Sequence, residues 1–204
     1  MPIVKDSIGD LASSSNYRAI AIGSLLLKLF DWVLLLLESE KLSTDELQFG
    51  FQKLASTTMC SWTLSTVVEY FNNRGRDIFG AACDISKAFD VCSWLFLFRD
   101  LMDRGVPFVY LRLLIFIYKE QRCDVRWNDK FSPRFSVTNG VRQGSVVSPI
   151  LFSVYIDKLI KRLREMSIGC TISGVYYGIL VYACLLYTSD AADDSLRVDL
   201  GGRR

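Results

Sequence analysis

The chain has 204 residues, half of them apolar and 13% aromatic, enough to build a core and too apolar for global disorder. Its 24 basic and 22 acidic residues leave a net charge of +2, so binding to a polyanion must come from a local site rather than from overall charge. There is no histidine, which excludes Ser-His-Asp and Cys-His hydrolysis, His-ligated zinc and His general-base catalysis, and leaves carboxylates, Lys, Tyr or Cys for chemistry.

From the N-terminus, residues 1–10 carry Lys5, Asp6 and Asp10 and lack the apolar core of a signal peptide, so secretion is not indicated. Ser13, Ser14, Ser15 and Asn16 predict a capping loop ahead of a helical run that ends at Leu37. The apolar stretch 19–37 raises the membrane question. Lys28 and Asp31 interrupt its middle, and each would cost about 2.5 to 3.5 kcal/mol at a bilayer centre, so a buried helix is expected instead. Ser43-Thr44-Asp45-Glu46 offers another cap, and Gly50 breaks the pattern after it. Residues 62–71 read as a helix stopped by Asn72-Asn73-Arg74-Gly75. Residues 78–85 are a short apolar segment, expected as a buried strand.

Helices are expected over 91–102 and 108–118, then a hairpin over 123–137 that turns at Asn128-Asp129-Lys130. Ser148-Pro149 predicts a helix start, with serine as cap and proline in the first turn. That helix should run to about Met166 with Phe152, Ile156, Leu159, Leu163 and Met166 on its apolar stripe. A last hairpin spans 170–182, turning at Ser173-Gly174. The six cysteines show no close C-x-x-C pair and read as small core residues in a reducing compartment. Helices and strands mix without a regular βαβ alternation, which predicts an α+β class.

Three groups of residues stand out chemically. Asp84 ends an apolar strand, where a carboxylate can offer oxygen to Mg²⁺, although a turn role is equally open. Asp90, six residues later, precedes a helix and reads better as its N-cap. In Asn139-Gly-Val-Arg-Gln-Gly144 the glycines allow close approach of a flat ligand, and Arg142 and Gln143 supply donors; turning the chain is the plainer role. Arg122, Arg126, Arg134 and Arg142 surround Trp127, Phe131 and Phe135, a composition suited to backbone pairing and base stacking, or to a solvated hairpin face.

Taken in order, Asn16-Tyr-Arg-Ala-Ile20, Lys28-Leu-Phe30, Gln48-Phe-Gly-Phe51, Asp84 to Asp90, Asn139 to Gly144, Ser148-Pro-Ile-Leu-Phe152 and Val181-Tyr-Ala183 resemble the reverse transcriptase domain of non-LTR (LINE-like) retrotransposons. The resemblance implies the fingers and palm of a right-hand polymerase, with residues 1–75 as fingers and 76–183 as palm. It implies RNA template, DNA primer and deoxynucleoside triphosphates as partners, Mg²⁺ as cofactor, and a place in an intracellular ribonucleoprotein of nucleus or cytoplasm. Asp84 and the carbonyl of Ile85 would hold metal. Phe89 would lie under the incoming sugar, Arg142, Gln143 and Gly144 would contact nucleotide and template, and Arg18 would reach the triphosphate.

The pattern breaks after Tyr182-Ala183, where the family has two aspartates and this chain has Cys184-Leu185. Cys184-Leu-Leu-Tyr-Thr-Ser-Asp190 and the residues after it resemble a translated sequencing-library adaptor. On that basis residues 184–204 are expected to be an artefactual disordered tail, the palm sheet incomplete and the thumb absent. Asp190, Asp193 and Asp194 then form a decoy for the missing acids. A polymerase fragment inactive as written is the first functional expectation, and a non-catalytic nucleic-acid-binding remnant the alternative.

Overall fold

The computed structural model describes residues 2–4, 6–13, 16–19, 21–127 and 129–191; Ser14, Ser15, Asn128, Asp193 and Asp194 lie outside them. The secondary structure is α+β, as the mixed pattern predicts. The chain divides into two compact units, residues 1–43 with 87–155, and residues 44–86 with 156–204.

The first unit opens with strands β1 (Pro2–Val4) and β2 (Tyr17–Ala19), paired antiparallel. Helix α1 (Leu25–Leu37) starts later than the apolar run, because Ser24 adopts an extended backbone and caps the amide of Leu27. It is not the buried helix expected. Only Asp31 and Leu34 are buried, while Leu25, Leu26, Trp32 and Leu36 face solvent. No helix among the described residues is long and apolar enough to cross a membrane.

The single helix expected over 91–102 is two, α3 (Ala88–Val91) and α4 (Trp94–Asp103). Asp90 lies within α3 and is not its cap; Lys87 holds that position with a left-handed backbone, φ +53°. Gly105 and Pro107 then turn the chain into α5 (Phe108–Lys119). Leu97, Leu101, Leu111, Leu114 and Tyr118 form the core between these helices, with Trp94 and Phe98 edge-on to Tyr118 at 5.5 and 5.6 Å. The expected hairpin appears as two short ladders, β4 (Arg122–Cys123) with β7 (Phe135–Ser136), and β5 (Arg126–Trp127) with β6 (Lys130–Phe131). Helix α6 (Ser148–Glu165) takes Ser148 as its first helical residue, and that buried hydroxyl bonds no amide, so it is not the expected cap. The apolar stripe drifts from the expected one: Leu151 and Phe152 are buried in this unit, and of the helix residues assigned to the second unit Ile156 and Ile160 are buried, whereas Leu159 and the following Met166 are exposed.

In the second unit α2 (Thr57–Asn72) is capped by Ser56, and its Val67 and Phe71 pack with Cys170, Ile78 and Tyr177. Strands β8 (Thr171–Ile172) and β9 (Val175–Tyr176) form a hairpin through Ser173-Gly174. Residues 45–54 form turns instead of continuing a capped helix.

The main sheet has the order β10 (Ile179–Tyr182), β11 (Leu185–Ala191), β3 (Ile78–Asp84), all antiparallel. Two expectations change here. The small residues Gly80-Ala81-Ala82-Cys83 leave β3 an exposed edge strand instead of a buried one. Residues 185–191, expected in a disordered tail, form the central strand, so the sheet is not left without a partner for β10. Leu185-Leu-Tyr-Thr188 has strand-forming composition, and backbone pairing needs no aspartate. Residues 192–204 lie outside the described residues.

Candidate active site

Asp84 ends β3 and is exposed, opposite Leu185 across the ladder. Tyr182 pairs with Leu185, so Ala183 and Cys184 make a two-residue turn, with Ala183 at φ +55°. The Ile85 amide donates to the Cys184 carbonyl at 3.2 Å. Cys184 therefore occupies the hairpin position beside Asp84. Its thiol is pushed up from the ordinary value, first by burial and then by the neighbouring Asp84 carboxylate. Mg²⁺ prefers hard oxygen ligands, and two ions need more than one carboxylate. Asp84 with a neutral thiol does not fit such a pair, and among the described residues no group of three His, Cys, Asp or Glu could hold a metal ion.

The Gln48 carboxamide reaches the same turn. Its Oε1 accepts from the amides of Ala183 at 3.0 Å and Gly50 at 2.9 Å.

In the first unit the loop 139–146 is built onto α3. Gly140, at φ +83°, sits so close to the chain that a Cβ would lie 2.7 Å from the Phe89 carbonyl and 2.8 Å from Asp90 Cα. The Val141 amide donates to Phe89 O at 2.7 Å, and Trp94 Nε1 donates to Gly140 O at 2.7 Å. Gln143 Nε2 donates to Asp90 Oδ1 at 2.6 Å, which gives Asp90 a partner in place of a capping role. The half-buried Phe89 ring stacks on Phe152 with centroids 4.8 Å apart. Gly144, at φ +87°, leaves no room for a side chain, since a Cβ would lie 2.4 Å from the Ala21 carbonyl.

Arg142 lines a groove with Gln143, and most of its side chain is taken up by an internal ion pair. Its side chain, 9% exposed, donates to Asp31 at 2.9 Å, and Asp31 is 1% exposed. Ser145 Oγ also donates to Asp31, as does the Val146 amide at 3.2 Å. The guanidinium lies 5.6 Å from the Tyr118 ring centre; burial pushes that phenol up, with the Arg142 charge acting against it. The Asp31–Arg142 pair thus ties α1 to the loop that carries Gln143 and Gly144. Asp31 was the signal, an acid inside an apolar run.

Asp90, Gln143, Arg122, Arg126, Phe131 and Phe135 line a groove of about 620 Å³ within the first unit. Arg126 lies 5.8 Å from the Phe131 ring centre, and Trp127 meets Tyr17 edge-on at 4.9 Å. Arg18 lies in β2, paired through its backbone with Ile3. Asp84 and Gln48 belong to the second unit, and Phe89, Arg142, Gln143 and Gly144 to the first.

Comparison with known proteins bears on this arrangement. The reverse transcriptase (RNA-dependent DNA polymerase) family profile matches residues 3–184. The chain is 26% identical over 177 residues, 86% of its length, to a retrovirus-related Pol polyprotein from type-1 retrotransposable element R2 of Popillia japonica. It is 25% identical over 168 residues, 82% of its length, to the polyprotein from type-2 retrotransposable element R2DM of Drosophila melanogaster. The chain spans 25% and 16% of those relatives. It belongs to the reverse transcriptase family, as the reverse transcriptase domain of a non-LTR retrotransposon.

Proposed function

From that membership we propose that the chain is the fingers and palm portion of an RNA-directed DNA polymerase, residues 1–75 and 76–183, taking an RNA template, a DNA primer and deoxynucleoside triphosphates within a retrotransposon ribonucleoprotein. The observation that carries the reading is the turn at Ala183-Cys184, hydrogen-bonded to Ile85 next to Asp84. It is the backbone of a two-acid site that holds one acid.

Asp84 and the Ile85 carbonyl are the groups here for the divalent ion that reverse transcriptases use, Mg²⁺ by resemblance. An ion held there would supply charge stabilisation for the reacting phosphate of a nucleotidyl transfer. With a thiol where the second carboxylate belongs, the donor set does not fit a pair of such ions, and the chain as written is inactive. Phe89, stacked on Phe152, is stiffly placed to oppose a sugar 2′-hydroxyl. Gln143, tied to Asp90, and Gly144, without a side chain, offer a polar edge and a close backbone to nucleotide and template. Arg18 is the proposed triphosphate contact. Arg142 supports this surface through Asp31.

Primer extension tests the reading. The unaltered chain should give no product with Mg²⁺ or Mn²⁺. The Cys184→Asp, Leu185→Asp variant, joined to the downstream segment of a retrotransposon relative, should give product. Synthesis by the unaltered chain would refute its inactivity. Silence from a restored variant that still binds primer and template would refute the polymerase reading itself. The groove between Arg122, Arg126 and Phe131 supports a second reading, a nucleic-acid-binding remnant, which predicts salt-sensitive binding of a labelled primer–template without synthesis.

A further inference from the structure

Gln48 lies outside every named strand and helix, yet it is fully buried in the second unit. Both ends of its carboxamide are directed at backbone. Oε1 accepts from the Ala183 amide at 3.0 Å and the Gly50 amide at 2.9 Å, and Nε2 donates to the Ala183 carbonyl at 3.4 Å. The backbone on each side is tied to β10 as well: Phe49 N–H donates to Val181 O at 2.7 Å, and Val181 N–H to Leu47 O at 2.8 Å. Gly50 closes the contact, because a Cβ there would lie 2.3 Å from the Ala183 nitrogen.

A fully buried position that served only to fill space would take an apolar side chain, since a buried amide is costly unless every donor and acceptor finds a partner. Here the partners belong largely to one residue, gripped at its N–H and its C=O. That residue, Ala183, has φ +55°, a conformation a non-glycine residue adopts only when its surroundings enforce it. The next residue is Cys184, whose carbonyl accepts from the Ile85 amide and which precedes Leu185, the ladder partner of Asp84.

We propose that Gln48, with Gly50 as its close-packed partner, is a positioning residue: it holds Ala183 in the left-handed conformation and so sets where residue 184 stands against Asp84. The positional claim stands on the contacts alone; its consequence for catalysis rests on the polymerase reading above.

The first test uses the unaltered 204-residue chain, Gln48→Met and Gly50→Ala. The methionine preserves volume and removes the hydrogen bonds. The alanine keeps the glutamine and pushes on the turn, so it serves if the methionine variant does not fold. Peptide-resolved hydrogen exchange over residues 182–185 should speed up roughly tenfold in either folded variant, the effect of losing one or two hydrogen bonds. Alkylation of Cys184 should speed up in parallel. Unchanged exchange at the turn in either folded variant overturns the proposal. The second test adds Gln48→Met to the extended Cys184→Asp, Leu185→Asp polymerase, where kcat should fall about tenfold with KM for nucleotide held. A change confined to KM overturns the positioning role. An inactive restored parent counts against the polymerase reading and leaves the exchange result standing.

Discussion

At the scale of single residues, the Asp31–Arg142 pair decides how the glycine loop should be understood. An arginine between two glycines suggests a substrate contact, and an aspartate 111 residues earlier also ties it to α1. Because Asp31 is 1% exposed, removing its partner strands a buried charge. Arg142→Ala should therefore cost about 3 to 5 kcal/mol in urea unfolding, and Arg142→Ala with Asp31→Asn distinctly less, because the second change removes the unpaired charge. Equal losses in the two variants would mean the pair is incidental. Cys92 gives a pH prediction. Its fully buried thiol is pushed up to about 12 from an ordinary 9.0, by burial first and then by the charge of Asp100. The folded state thus holds this proton more tightly than the unfolded state. Stability is unaffected below pH 9.0 and falls as pH rises from there towards about 12, by at most about 1.4 kcal/mol per pH unit. Cys92→Ala should lose stability less steeply over that range; an identical slope in variant and parent would show that Cys92 is not responsible.

Among the elements, β11 shows what a sequence yields and what it withholds. Residues 185–191 were expected in a disordered tail, whereas the end of β3 at Asp84, the turn at Ser173-Gly174 and the span of α5 were legible in the sequence. Each of these depends on residues within one turn or one strand. What decides β11 is a partner roughly a hundred positions away, Leu185 opposite Asp84 and Ala191 opposite Ile78, and local composition carries no sign of it. The same limit applies in the candidate site, where Gln143 was legible and its bond to Asp90 was not. Tyr187 pairs with Leu180 on one side and Ala82 on the other. A proline there removes a ladder hydrogen bond from a central strand and leaves its acceptor unpaired, so Tyr187→Pro should cost about 1 to 3 kcal/mol and release amide protection in both β10 and β3. Protection retained in both neighbours would show that β11 is not what joins them.

For the whole molecule, a net charge of +2 gives no general attraction to nucleic acid, so any affinity has to be concentrated where arginines and aromatic rings share a surface. The groove in the first unit meets that condition with Arg122, Arg126, Phe131 and Phe135. Arg134 contributes less, since it lies 3.9 Å from Asp124 and that exposed carboxylate offsets part of its charge. Arg142 also lines the groove but contributes less, its charge being offset by the buried Asp31. These assignments fix a pattern of salt dependence. Each guanidinium that neutralises a phosphate of a single strand steepens the fall of log affinity with log salt by about 0.7, and each base stacked on an aromatic ring adds about 1 to 3 kcal/mol that salt does not touch. Titrating a labelled single strand at several salt concentrations should therefore separate the residues by kind. Arg122→Ala and Arg126→Ala should each flatten the slope by about 0.7, while Phe131→Ala should weaken binding at every salt concentration and leave the slope as it was. A slope unmoved by both arginine substitutions would place the strand somewhere other than this groove and remove the support it gives to nucleic-acid binding.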